Sequence, residues 1–84
     1  MKHEFVWEKS FYGRGEMTSF DIGNYHISVI ADGYGSDHGL YEIGIFEDSQ
    51  FVHLPGINGE DGIKGWLTLE EVDYILTKID LISH

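Results

Sequence analysis

The chain contains no cysteine, a single proline, and only five lysine and arginine residues in 84. Without cysteine there is no disulfide framework, no thiolate metal site and no thiol nucleophile, which suits a reducing, cytoplasmic setting. Pro55, the one proline, is where a strand must stop, because it has no amide to give to a ladder. No apolar run approaches the roughly 20 residues of a membrane span, and the opening MKHEFVWEKS lacks a signal-peptide apolar core. A soluble, unprocessed protein with no membrane contact is expected.

The shortage of positive charge is the most informative of these absences. Fifteen acids stand against five basic residues, a formal net charge of −10. Between Arg14 and Lys64 there is no lysine or arginine, while Glu16, Asp21, Asp32, Asp37, Glu42, Glu47, Asp48, Glu60 and Asp61 all lie in that interval. Nucleic-acid binding needs cations to replace counterions on phosphates, so direct nucleic-acid binding is not expected. A field of this sign keeps the chain soluble and steers it towards a basic protein surface.

What is present suffices for one small domain, residues 1–84. Apolar residues at 42 % and charged residues at 24 % belong to a folded globular chain. A chain of this length buries only about 60 % of the surface its unfolded form exposes, so the core must be small.

The stretch Trp66–Ile79 has the signals of a complete amphipathic helix. Thr68 and Glu71 form a capping box, and Leu67 and Val72 are spaced for a hydrophobic staple. Val72, Ile75, Leu76 and Ile79 follow the i, i+3, i+4, i+7 rule and share one face. Glu70 and Glu71 in the first turn, and Lys78 in the last, suit the helix dipole. Such a helix is marginal alone and needs a surface to pack on.

Alternating strands upstream provide one. The spacing predicts an α+β fold: an antiparallel β-meander of about five strands, roughly 3–12, 16–22, 25–31, 40–47 and 50–54, with one C-terminal α-helix (68–80) on one face. Gly23-Asn24 fits a type II′ hairpin that pairs Ile22 with Tyr25, Phe20 with Ile27 and Thr18 with Val29. Asp48-Ser49 turns the next hairpin, pairing Phe46 with Phe51, Ile45 with Val52 and Ile43 with Leu54. For the first hairpin, Arg14-Gly15 as a two-residue loop pairs Phe11 with Thr18, Lys9 with Phe20 and Trp7 with Ile22. Residues 56–65 read as a glycine-rich connector to the helix.

One face of this sheet is left without a helix, and it is not uniformly polar. Phe46 and Phe51 are cross-strand neighbours there, with Met17 and Ile30 in the same layer and Asp21, Glu42, His26 and His53 among them. An exposed apolar patch on a soluble chain marks a contact surface. The bland alternative is that loop 32–39 or 56–65 folds over it. The candidate partner-binding residues are therefore Phe46, Phe51, Glu47, Asp48, Glu42, Asp21, Asp32, Asp37, Tyr34 in the glycine loop, and Tyr74 on the outer side of the helix.

Signals for chemistry are thin. The loop from Asp32 to His38 offers two carboxylates and one imidazole, and its glycines are equally explained by turns. Residues 58–71 fail as a calcium loop, because Ile57, Gly59 and Thr68 occupy ligand positions. His3 and His84 lie near the chain ends and are expected to be solvated. His26 and His53 share the outer face and could pair with Asp21 or Glu42, yet no nucleophile is placed beside them. No catalytic residue, metal site or cofactor is expected. The reading is a small acidic, non-enzymatic inhibitor or adaptor that docks a basic protein surface. Phage anti-defence factors, anti-CRISPR proteins and immunity proteins share its size and charge, by analogy only. Two alternatives stand beside it: a structural, weakly dimeric or homo-oligomeric phage-type protein, and a small metal protein or enzyme built on His26 and His53 or on His38.

Overall fold

The computed structural model describes residues 2–9, 15–31, 33 and 35–83. Among these, six strands form one antiparallel sheet: β1 (Glu8–Lys9), β2 (Glu16–Ile22), β3 (Tyr25–Ile30), β4 (Tyr41–Glu47), β5 (Gln50–Phe51) and β6 (Ile63–Leu67). Helix α1 (Leu69–Ile82) follows. The order is β1-β2-β3-β4, with β5 and β6 end to end along the remaining edge of β4. This is an α+β fold, a meander with one helix on its inner face. No helix among the described residues is long and apolar enough to cross a membrane.

The β2–β3 hairpin has the register that its turn chemistry dictates: Ile22 opposite Tyr25, Phe20 opposite Ile27 and Thr18 opposite Val29. Gly23 takes φ 60°, the positive angle that the first central residue of a type II′ turn requires. The next hairpin pairs Phe46 with Phe51. Its central residues, Asp48 and Ser49, both adopt positive φ (54° and 66°), which is type I′ geometry without the usual glycine.

Alternation puts Ile27, Val29, Ile43 and Ile45 on the inner face, all fully buried against Val72, Ile75, Leu76 and Ile79 of α1. The capping box forms in both directions: the Glu71 amide donates to Thr68 Oγ1 (3.1 Å), and the Thr68 amide donates to Glu71 Oε1 (3.0 Å). Those bonds hold the Glu71 carboxyl below its ordinary pKa. The helix runs to Ile82, so its last turn contains Asp80 and no basic residue. Lys78 does not complement the dipole as expected, and lies instead over the Tyr74 ring at 5.3 Å.

The first strand departs from expectation. Its ladder is only Glu8–Lys9, paired with Met17 and Glu16, four residues out of the expected register. The Phe11–Thr18 pair falls partly outside the described residues. An even slip preserves the faces, so Phe5 and Trp7 still pack on the core. Upstream of Glu8 the chain drops to the helix layer. Phe5 meets Phe20 edge-on (5.5 Å) and stacks on Trp7 (6.0 Å), which stacks on Tyr41 (5.4 Å). Asp73 of α1 then ties the segment down: Oδ2 accepts from the Lys2 amide (3.2 Å), and Oδ1 accepts from the His3 amide (2.8 Å) and meets His3 Nδ1 (2.8 Å). His3 is therefore anchored rather than solvated. Burial works to raise the Asp73 pKa, but the His3 ring, the His3 and Lys2 amides and the nearby imidazole charge outweigh it, and the net shift is downward.

The larger correction concerns residues 56–65. Past Val52, whose amide still donates to the Ile45 carbonyl (2.9 Å), the chain leaves the β4 ladder, and β6 takes the place expected for Leu54, with Gly44 opposite Ile63 and Ile43 opposite Lys64. Asn58 makes this possible. Its buried amide accepts from the Leu54 N–H (2.7 Å) and donates to the Val52 carbonyl (2.9 Å), satisfying backbone groups that a ladder would otherwise pair. A tight turn at 59–62 then reverses the chain, with Gly62 donating to the Gly59 carbonyl (2.9 Å) and the Gly62 carbonyl accepting from Ile45 (3.0 Å). Trp66 and Leu67, assigned by periodicity to the helix entrance, are strand residues.

Candidate protein-binding face

Three cross-strand rows build the outer face. Asp21, His26, Phe46 and Phe51 form one row; Ser19, Ser28, Gly44 and Ile63 the next; Met17, Ile30 and Glu42 the third. Phe46 and Phe51 lie with ring centroids 4.3 Å apart. Gly44 is what lets them lie flat: a Cβ there would come within 3.2 Å of Phe51 Cε1 and 3.4 Å of Phe46 Cε2. The rings fold over a bare strip of backbone instead of standing away from the sheet.

A groove of about 180 Å³ runs beside this pair, lined by Ile30, Gly44, Phe46, Phe51 and Ile63 among others. On the far side of Phe46 a wider depression of about 420 Å³ is bounded by Met17, Asn24, His26, Ser28, Asp48 and Ser49. Phe46 is thus a ridge between two concave surfaces, and Phe51 remains 54 % exposed. Acidic groups edge the wider depression. Asp48 is in its wall, and Asp21 receives His26 Nδ1 at 2.8 Å while most of its side chain faces solvent.

The expected binding residues do not all converge. Asp21, Phe46, Asp48 and Phe51 come together as described. Glu42 is on the outer face but buried, covered where Gly33 crosses it; a Cβ on Gly33 would sit 2.8 Å from Glu42 Cβ. The chain at Gly33 therefore closes one end of the face and leaves the phenylalanine end open. Glu47 alternates to the helix side, opposite Tyr25. Asp37 is in a 3₁₀ turn, Ser36–His38, at the covered end. Tyr74 is exposed on α1, in the other layer of the molecule, and no flat partner spans it and Phe46 together. Asp32 and Tyr34 lie outside the described residues.

Two residues join the face that periodicity had placed elsewhere. Ile63 lines the narrow groove. Trp66 sits in a β-bulge: Tyr41 faces Leu67 while Ile43 faces Lys64, so Gly65 and Trp66 together oppose Glu42. Trp66 has φ 61°, a conformation costly for a bulky side chain, and is 58 % exposed beside the His38 ring (5.3 Å). The signal for both was the alternation Ile63-x-Gly65 after Gly62, interrupted by the extra residue.

For chemistry the face offers little. His26 has its carboxylate partner, but His53 follows β5 off the ladder, since Ile63 and not His53 stands beside Gly44. Among the described residues no three histidine, aspartate or glutamate side chains converge to hold a metal ion. No protein-family model, no curated protein and no solved structure gives a significant match to this chain.

Proposed function

We propose that the protein is a non-enzymatic binding module, an inhibitor or adaptor, that docks a basic protein surface through the open end of its outer sheet face. The observation that carries this reading is the Phe46–Phe51 pair, laid flat over Gly44 between two grooves in a chain of net charge −10. Aromatic ridges flanked by pockets are the usual anchors of protein interfaces, and the surrounding acids supply attraction at a distance. An anti-defence factor of the anti-CRISPR or anti-restriction type fits this class by size and charge alone.

Steering is tested by rate. Asp21→Lys with Asp48→Lys reverses the charge along the edge of the wider depression without replacing either phenylalanine. Association with the partner should slow by about tenfold at low salt and converge with wild type as salt screens the field. An unchanged rate at low salt contradicts steering. The competing reading, that the same face pairs with itself, predicts a concentration-dependent mass in sedimentation over a dilution series. The docking reading predicts a monomer throughout.

A further inference from the structure

The edge of β2 is open over its second half, and the geometry points to a second docking element there: a strand-addition site for an extended, basic peptide segment. Bonded and non-bonded pairs alternate along an antiparallel ladder. The Ala31 amide donates to the Glu16 carbonyl (2.9 Å), which fixes the phase of the β2–β3 ladder. Thr18, Phe20 and Ile22 therefore turn their N–H and C=O groups inward to β3, and Met17, Ser19 and Asp21 turn theirs to the opposite edge. Met17 is served by Glu8 of β1. Beyond it, β1 has ended, and the chain at 2–7 has dropped beneath the sheet, where His3 and Phe5 contact the Phe20 ring and Asp73 holds the Lys2 and His3 amides. Among the described residues no backbone group pairs with the outward N–H and C=O of Ser19 and Asp21. A notch of about 170 Å³ between Val6 and Ser19 marks where the two strands diverge.

Such an edge takes an extended chain by main-chain hydrogen bonds, and flanking side chains choose which chain. Ser19 and Asp21 are both exposed, and Glu8 lies at the end where β1 stops. An added strand would place alternate side chains beside Asp21 on the outer face, where lysine or arginine is favoured. Its other side chains would meet the rings of His3 and Phe5 and must be small. A second copy of this chain is a poor occupant: it brings another net charge of −10 to an edge only a few residues long. This site rests on backbone geometry and stands whether or not the phenylalanine face is used.

The probe is an acetylated, amidated octapeptide of alternating lysine and threonine, with an analogue N-methylated at every residue, which leaves no N–H donor on either edge. The analogue keeps the charge and cannot form a ladder. Amide hydrogen exchange of the whole protein is read residue by residue by NMR. The peptide should slow exchange at Ser19 and Asp21 at least tenfold, and the analogue should leave both unchanged. Ser19→Pro should abolish the protection, since that N–H makes no native ladder bond and the ring fills the edge. Should it misfold, Asp21→Lys keeps the backbone and should weaken peptide binding about tenfold. Absence of binding at millimolar peptide, binding without protection at Ser19 and Asp21, or equal binding of the analogue would overturn the site. So would protection of both amides in the free protein, which would mean that residues 2–7 or a second copy already fill the edge. Peptide shifts confined to Phe46 and Phe51 would reject this edge while leaving the face intact.

Discussion

At the scale of single residues, Asn58 decides the path of the chain. Its amide stands in for a strand neighbour, accepting from Leu54 and donating to Val52 in a buried site, and no buried side-chain polar atom among the described residues lacks a partner. Replacing it by the isosteric Asn58→Asp removes the donor and sets a carboxylate against the Val52 carbonyl. Urea unfolding should show a loss of about 2 to 4 kcal/mol. A loss below about 0.5 kcal/mol would mean that the connector does not depend on these bonds. Trp66 presents the reverse case. Truncating a buried tryptophan costs about 3 to 5 kcal/mol, but Trp66 is half exposed and held at φ 61°. Glycine removes roughly 1 to 2 kcal/mol of left-handed strain, so Trp66→Gly should stay within about 1 kcal/mol of wild type in the same assay. A core-sized loss would show that its contacts with His38 outweigh the strain. Neither role was readable in advance. Asn58 looked like a loop residue because its partners are carbonyl and amide groups, which leave no side-chain pattern.

At the scale of elements, the readable parts were those whose determinants are local. The II′ hairpin, the Phe46–Phe51 register, the capping box and the apolar stripe of α1 are each specified within a dozen residues. What escaped has distant or irregular causes. β1 is cut short because Asp73, seventy residues away in sequence, captures Lys2 and His3. β6 was hidden because a bulge breaks its alternation and glycines flank it. Two carboxylates now tie α1 to its surroundings, Glu71 at the cap and Asp73 at the N-terminal segment. Both have folded pKa values below their ordinary ones, near 4.5 and 3.8. Their contribution is therefore fully present above those values and is lost as pH falls through the lower, folded ones. Acidification also relieves repulsion within a chain of net charge −10, which works in the other direction. The comparison that isolates the two groups is wild type against Glu71→Gln with Asp73→Asn. Wild type should be the more stable at pH 7, and its advantage should shrink steadily below about pH 4.5 and approach zero near pH 2. An advantage independent of pH would assign the effect to packing rather than charge.

At the scale of the whole molecule, α1 claims one side of the sheet and the loop through Gly33 covers one end of the other. What remains is the phenylalanine ridge, edged by Asp21 and Asp48. The sequence pointed to this ridge because cross-strand pairing follows from the turn, but it spread the candidate residues too widely. Glu47 and Tyr74 belong to the other side, as a period-two alternation and a helix packed on the inner face require. The measurement that bears most directly on the proposed function is capture from extracts of the organism that encodes the protein. Immobilised wild type is compared with Phe46→Ser/Phe51→Ser, each first shown to unfold at the same temperature. A basic protein retained by wild type should be lost from the double variant, with affinity for the purified partner reduced by about thirtyfold or more. Equal retention on both surfaces, or a retained partner without a basic face, would contradict the account.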